Sequence, residues 1–147
     1  MSYNYCVEYK YNKQNKLNIL IVDDDTNSSE LFKEILELRG HCVITLDEGV
    51  KCISKCLNDK FDIIFVDYHI GDIDGVELTD CLKDVIKTKS LIYAYTGDNS
   101  NKSIELFKNV GMNGVFIKPL NINVINKFMA ELENKNNNIK FESFIYF

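Results

Sequence analysis

The stretch ILIVDDDTN, residues 19 to 27, runs four aliphatic side chains straight into three consecutive carboxylates, Asp23, Asp24 and Asp25. Two unit charges about 4 Å apart repel by roughly 1 kcal/mol in water and roughly 4 kcal/mol at the effective dielectric near a protein surface. Such a cluster either splays into solvent as an acidic turn that caps the next helix, or it holds a cation. The apolar run before it reads as a strand buried on both faces, the habit of parallel sheets.

Outward from that stretch, short β-rich runs alternate with helical patterns from residue 17 to residue 133. Strands are expected at residues 17–22, 42–46, 61–66, 91–95 and 114–117. Between and after them, apolar residues recur at helical spacing: Leu31, Phe32, Ile35 and Leu36; Val50, Ile53 and Leu57; Leu78, Cys81, Leu82 and Val85; Ile104, Phe107 and Val110; Ile125, Phe128, Met129 and Leu132. Asn27 with Glu30 reads as a capping pair, and Gly40 and Gly111 fall where helices should stop. Five β-α units predict an α/β fold: a five-stranded parallel sheet, doubly wound by helices.

Composition narrows the function. At 147 residues, 46% hydrophobic and 27% charged, the chain is one domain's worth with enough apolar content for a core. Its net charge of -5 and singly scattered basic residues argue against a nucleic-acid surface. The five cysteines (Cys6, Cys42, Cys52, Cys56, Cys81) are an odd number, and no apolar run approaches the roughly 20 residues that span a bilayer. With no signal-like N-terminus, a reducing, cytoplasmic setting without membrane contact is expected. Cys52 and Cys56 sit four apart, but only His41 and His69 accompany the cysteines and no second pair completes a metal site, so small buried hydrophobes are the expected role. Outside the core lie an N-terminal extension, 1–16, with Tyr3, Tyr5, Val7, Tyr9 and Tyr11 at every second position, and a C-terminal tail, 134–147, with alternating Ile139, Phe141, Ile145 and Phe147. Both suit extended segments that extend a sheet edge or bridge a homodimer.

In an open parallel sheet the reactive groups gather at the carboxyl ends of the strands. Those ends carry Asp23, Asp24 and Asp25; Asp67 in IIFVDYH; Thr96 in IYAYTGD; and Lys118 in VFIKPL, before the sole proline, Pro119. Asp23, Asp24 and Asp67 with a hydroxyl and an ammonium on one rim suit phosphoryl capture on a carboxylate, since the transferred group spreads charge over three equatorial oxygens. Asp23 and Asp24 would hold Mg²⁺, Asp67 would attack, Lys118 would pair with the phosphoryl group and Thr96 would donate to it.

Four motifs in order, ILIVDDD, IIFVDYHIGDIDG, YAYTG and FIKPL, make residues 17–133 resemble the receiver domains of two-component response regulators, in the stand-alone, chemotaxis-regulator form. The intervals of 43, 29 and 22 residues between Asp24, Asp67, Thr96 and Lys118 are similar to the family's. The resemblance implies a flavodoxin-like receiver fold, Asp23 and Asp24 as the metal pair, Asp67 as phosphoacceptor and the backbone carbonyl of His69 as a further metal ligand. It implies a histidine kinase or histidine phosphotransfer protein upstream, a protein partner downstream, and catalysis limited to the domain's own phosphorylation and dephosphorylation. It also makes His69 and Asp98, each two residues beyond a site residue, the positions that tune hydrolysis of the acyl phosphate. Two departures stand out. Ile70 and Gly71 replace the family's frequent Met-Pro, from which a looser loop is expected, and Val115 stands where an aromatic often switches. No output domain is expected, since 14 residues follow Glu133.

Two rival readings share the acidic cluster. A haloacid-dehalogenase-type phosphatase also uses an aspartate after an apolar strand, but its motif wants a hydroxyl residue at Asn27 and an acidic pair after the lysine. A pseudo-receiver would keep the fold as an interaction module without the chemistry.

Overall fold

In the computed structural model, which describes residues 16–134 and 144–147, the apolar runs become strands β1 (Asn18–Val22), β2 (Cys42–Leu46), β3 (Ile63–Val66), β4 (Leu91–Thr96) and β5 (Gly114–Ile117). They alternate with helices α1 (Thr26–Leu38), α2 (Gly49–Asn58), α3 (Gly75–Asp84), α4 (Asn101–Val110) and α5 (Ile122–Asn134). A sixth strand, β6 (Ile145–Tyr146), was not among those expected as core strands. The sheet order is β2-β1-β3-β4-β5-β6, and every neighbouring pair is parallel. This is the doubly wound, flavodoxin-like α/β fold. The order reverses beside β1, so a crevice opens there at the carboxyl ends of β1 and β3.

Strand alternation sorts the core into two layers. Ile19, Ile21, Phe65, Tyr93, Tyr95 and Phe116 meet α1 and α5 through Phe32, Leu36, Ile125 and Phe128. On the opposite face Leu20, Val22, Ile64, Val66, Ala94 and Val115 meet Cys52, Leu78, Leu82 and Phe107 of α2, α3 and α4. Cys56 and Cys81 are half-buried, whereas Cys42 is exposed, contrary to the buried role expected of it. Val50, Leu57 and Val85 are 61%, 66% and 71% exposed and lie outside the buried faces that periodicity assigns them.

Helix starts also differ from expectation. α1 is capped by Asp25, whose carboxylate accepts from the Ser28 N–H at 3.3 Å, so Asn27 and Glu30 lie inside the helix. Asp25 already has the extended backbone that an N-cap requires, which starts the helix ahead of the expected pair. Gly40 and Gly111 do follow α1 and α4, with φ of 95° and 92°. Arg39, just past α1, is bidentate on Glu133 of α5, its Nη2 2.7 Å from the carboxylate.

At the far edge, the Ile145 N–H donates to the Asn113 carbonyl (3.0 Å) and the Phe147 N–H to the Val115 carbonyl (2.9 Å). Phe147 stacks on Phe116 with centroids 4.3 Å apart and meets Phe128 edge-on at 5.2 Å. Gly114 makes this approach feasible, because a Cβ there would run into the Ile145 carbonyl oxygen. Residues 145–147 of the tail thus extend the sheet edge. The tyrosine alternation at 3–11, together with Ile139 and Phe141, lies outside the described residues.

Candidate functional site

Backbone ladders carry the site residues to their places. The Asp23 N–H bonds Leu46 O (3.0 Å), the Asp67 N–H bonds Val22 O (2.9 Å) and the Lys118 N–H bonds Thr96 O (2.8 Å), so each continues a parallel ladder by one step beyond a strand. The Lys118–Pro119 peptide is cis. From the end of β5 the Lys118 ammonium reaches Asp23 Oδ2 at 2.8 Å and Asp67 Oδ2 at 3.0 Å. Asp23 and Asp67 are buried and Asp24 is exposed, yet carboxylate oxygens of all three lie within 4.8 Å of one another.

Three like charges at that spacing repel by roughly 3 kcal/mol per pair at an effective dielectric of about 20. One ammonium neutralises only part of this, and the remaining hard oxygen donors fit a small divalent cation. Burial pushes the Asp67 carboxyl above the ordinary carboxylate range, against the pull of Lys118 and with a further push from Asp23. Burial alone would lower the Lys118 pKa, but the hydrogen bond to Asp23 and the charge of Asp67 overcome it and leave the pKa raised.

Thr96 is buried beside this cluster, its hydroxyl oxygen accepting from the Asp98 N–H at 3.2 Å. The His69 N–H points at Asp67 Oδ1 at 3.4 Å. Its imidazole stacks on Tyr68 (4.6 Å) and lies, mostly exposed, 3.5 Å from Asp98 Oδ2. Asp98 is held down to about 2 by the Ser103 hydroxyl and the Ser100 N–H. The structure therefore brings Asp23, Asp24, Asp67 and Lys118 into one contact cluster, with His69, Thr96 and Asp98 around it.

The loop after Asp67 is more tightly held than its sequence suggests. Ile70 is buried, and Asp72 accepts from the Gly49 and Val50 N–H groups at 2.9 and 3.0 Å, capping α2 in place of Glu48, which makes no side-chain cap. Asp74 meanwhile caps α3 through the Glu77 N–H. Asp72 escapes sequence reasoning because the helix it caps begins 23 residues earlier. Tyr95 escapes too. Alternation predicts only that it faces away from Val115, whereas its ring lies beneath Lys118, 5.0 Å from the ammonium.

Comparison with known proteins agrees with this geometry. Residues 19–130 match the response regulator receiver domain. Sensor protein EvgS of Escherichia coli O157:H7 is 32% identical over 118 residues, covering 80% of this chain and 10% of EvgS. The CAI-1 autoinducer sensor kinase/phosphatase CqsS of Vibrio cholerae is 30% identical over 115 residues, 76% of this chain and 17% of CqsS. This chain thus spans less than a fifth of either relative. A two-component response regulator from Clostridium difficile superposes with a TM-score of 0.77 at 28% identity, covering 84% of this chain and 100% of that one. With acids, hydroxyl and ammonium at the same strand ends that its motifs mark, the chain belongs to the response regulator receiver domain family.

Proposed function

We propose that this chain is a phosphoryl acceptor of a two-component or phosphorelay system, with Asp67 as the acceptor and a histidine kinase or histidine phosphotransfer protein as the donor. The observation that carries it is the Lys118 ammonium joined to both Asp23 and Asp67, with Asp24 within reach of the same point. An Asp67 oxygen attacks phosphorus, the bond from phosphorus to the donor imidazole breaks, and the imidazole keeps the electron pair. Asp23, Asp24, Asp67 and the His69 carbonyl would hold Mg²⁺, which supplies positive charge for the equatorial oxygens. Lys118 leaves Asp67 to pair with the transferred group, and the Thr96 hydroxyl donates to one of its oxygens. His69 and Asp98 flank the approach of hydrolytic water and set the lifetime of the acyl phosphate.

Residues 17–133 form the receiver in this reading, with 1–16 and 134–147 as extensions, working in the cytoplasm through protein partners and without turnover of a separate substrate. No helix among the described residues is long and apolar enough to cross a membrane. The phosphatase alternative needs Asp23 as nucleophile, but the Asp23 side chain is fully buried, whereas that of Asp67 is partly open to an incoming phosphoryl group. Incubation with acetyl phosphate and Mg²⁺ should add one base-labile phosphoryl group by intact mass, absent in D67N. A wild type that stays unmodified while hydrolysing phosphomonoesters through Asp23 refutes the reading.

A further inference from the structure

Five residues close a circuit of contacts around the carboxylates. Asp23 Oδ1 accepts from the Asp25 N–H at 2.9 Å, and the Asp25 carboxylate accepts from the Ser28 N–H. The Ser28 and Tyr95 hydroxyls share a hydrogen bond at 3.1 Å. The Lys118 ammonium sits 5.0 Å from the Tyr95 ring centroid and returns to Asp23 Oδ2 at 2.8 Å. Asp23 and Lys118 are the members of this circuit expected to do chemistry, and Tyr95 touches Lys118 directly.

Its surroundings leave the ring little freedom. Tyr95 is 2% exposed, braced edge-on by Phe32 at 4.8 Å, and its backbone pairs with Phe116 in the sheet. Burial raises the phenol pKa, so the ring stays neutral and keeps the π face that attracts a cation. Lysine, by contrast, is a point charge on a flexible four-carbon stem. While Asp67 is free, two carboxylates fix the ammonium. Once Asp67 carries a phosphoryl group, its oxygen is no longer available as before, and an uncharged surface that holds the ammonium regardless becomes useful.

We propose that Tyr95 is a positioning residue for Lys118: its ring, braced against α1 by Phe32, keeps the ammonium over the rim during phosphoryl capture. The assignment rests on the phosphoacceptor reading for its consequence, but the contact itself is testable without phosphoryl transfer. The Tyr95 ring current should displace the Lys118 ε-methylene protons upfield, a resonance assigned by its loss in K118M. Y95M, which fills similar space without a π face, should return it to the ordinary lysine position, and Y95F should keep it displaced. With acetyl phosphate and Mg²⁺, Y95M should lower the maximal rate of phosphoryl uptake by roughly three- to thirtyfold, the range a cation–π contact allows. The donor concentration for half-maximal rate should stay unchanged, and Y95F should recover most of the rate.

An undisplaced Lys118 resonance in the wild type overturns the proposal without any variant. So does a Y95M rate equal to wild type, or a Y95F defect as large as that of Y95M, which would mark a structural role for the hydroxyl alone. If the wild type takes up no phosphoryl group, the function reading fails, and the Lys118 resonance in wild type, Y95M and Y95F decides the positioning claim by itself.

Discussion

Substitution G114A isolates what the sixth strand contributes. The glycine carries no positive-φ requirement, so alanine is acceptable to the backbone there, but its Cβ would meet the Ile145 carbonyl oxygen and β6 would have to leave. The two backbone hydrogen bonds donated by the Ile145 and Phe147 N–H groups contribute about 1 kcal/mol each. The two ring contacts of Phe147 add roughly 1 kcal/mol each. Half-burial of Phe144, Ile145 and Phe147 adds about 1 kcal/mol apiece. Ordering four residues, at roughly 1 to 1.5 kcal/mol each, offsets most of that and leaves about 1 to 3 kcal/mol. G114A should therefore lower Tm by about 3 to 10 °C for a domain of this size. In a chain lacking residues 144–147 the same substitution should cost less than about 1 kcal/mol, since only Tyr93 Cδ1, 3.2 Å from the new atom, has to give. Urea unfolding of the four proteins in this cycle measures the coupling. A G114A cost that is equal in the full and truncated chains refutes the account of β6.

R39M should destabilise by roughly 2 kcal/mol in urea unfolding, because Glu133 is only 14% exposed and would lose its bidentate partner beside His41. Asp98, held down to about 2 against an ordinary value of 3.8, contributes stability that is present above pH 4 and is lost as pH falls towards 2. D98N should lose less stability than wild type between pH 4.5 and 2.5, read from urea midpoints. Val115 is fully buried among α2–α4 contacts and is β-branched, with little volume to move. Beryllofluoride binding should therefore shift amide resonances around Asp67 and in the first turn of α1 more than those of α4, and larger changes on α4 would show that switching needs no aromatic at that position.

The sequence was most legible where one physical cause dominated. Continuous apolar runs such as IIFV have no alternative to a strand buried on both faces, and their ends mark Asp23, Asp67, Thr96 and Lys118 without reference to anything distant. Local competition was harder. Asp25 and Asn27 are both good caps, and only the path of the chain leaving β1 selects the first. Val50, Leu57 and Val85 satisfy helical periodicity, yet where α2 and α3 contact the sheet is set by Cys52, Leu78 and Leu82, a matter of packing rather than spacing. Asp72 on α2 and Tyr95 under Lys118 depend on partners 22 or more residues away, beyond the reach of any periodic pattern.

The seat of the Asp67 loop on α2 has a consequence for how the sequence is free to drift. Ile73 occupies the space where a side chain at Gly49 would begin, so the two positions, 24 apart in the chain, share one volume. Position 49 cannot grow unless Ile73 gives way. A library randomised at position 49 alone should return glycine almost exclusively among folded clones, whereas one randomised at both should admit pairs such as G49A with I73A. The phosphoacceptor loop and the second helix are thus yoked in their substitutions, and a larger residue at position 49 can be inherited only in the company of a smaller one at position 73.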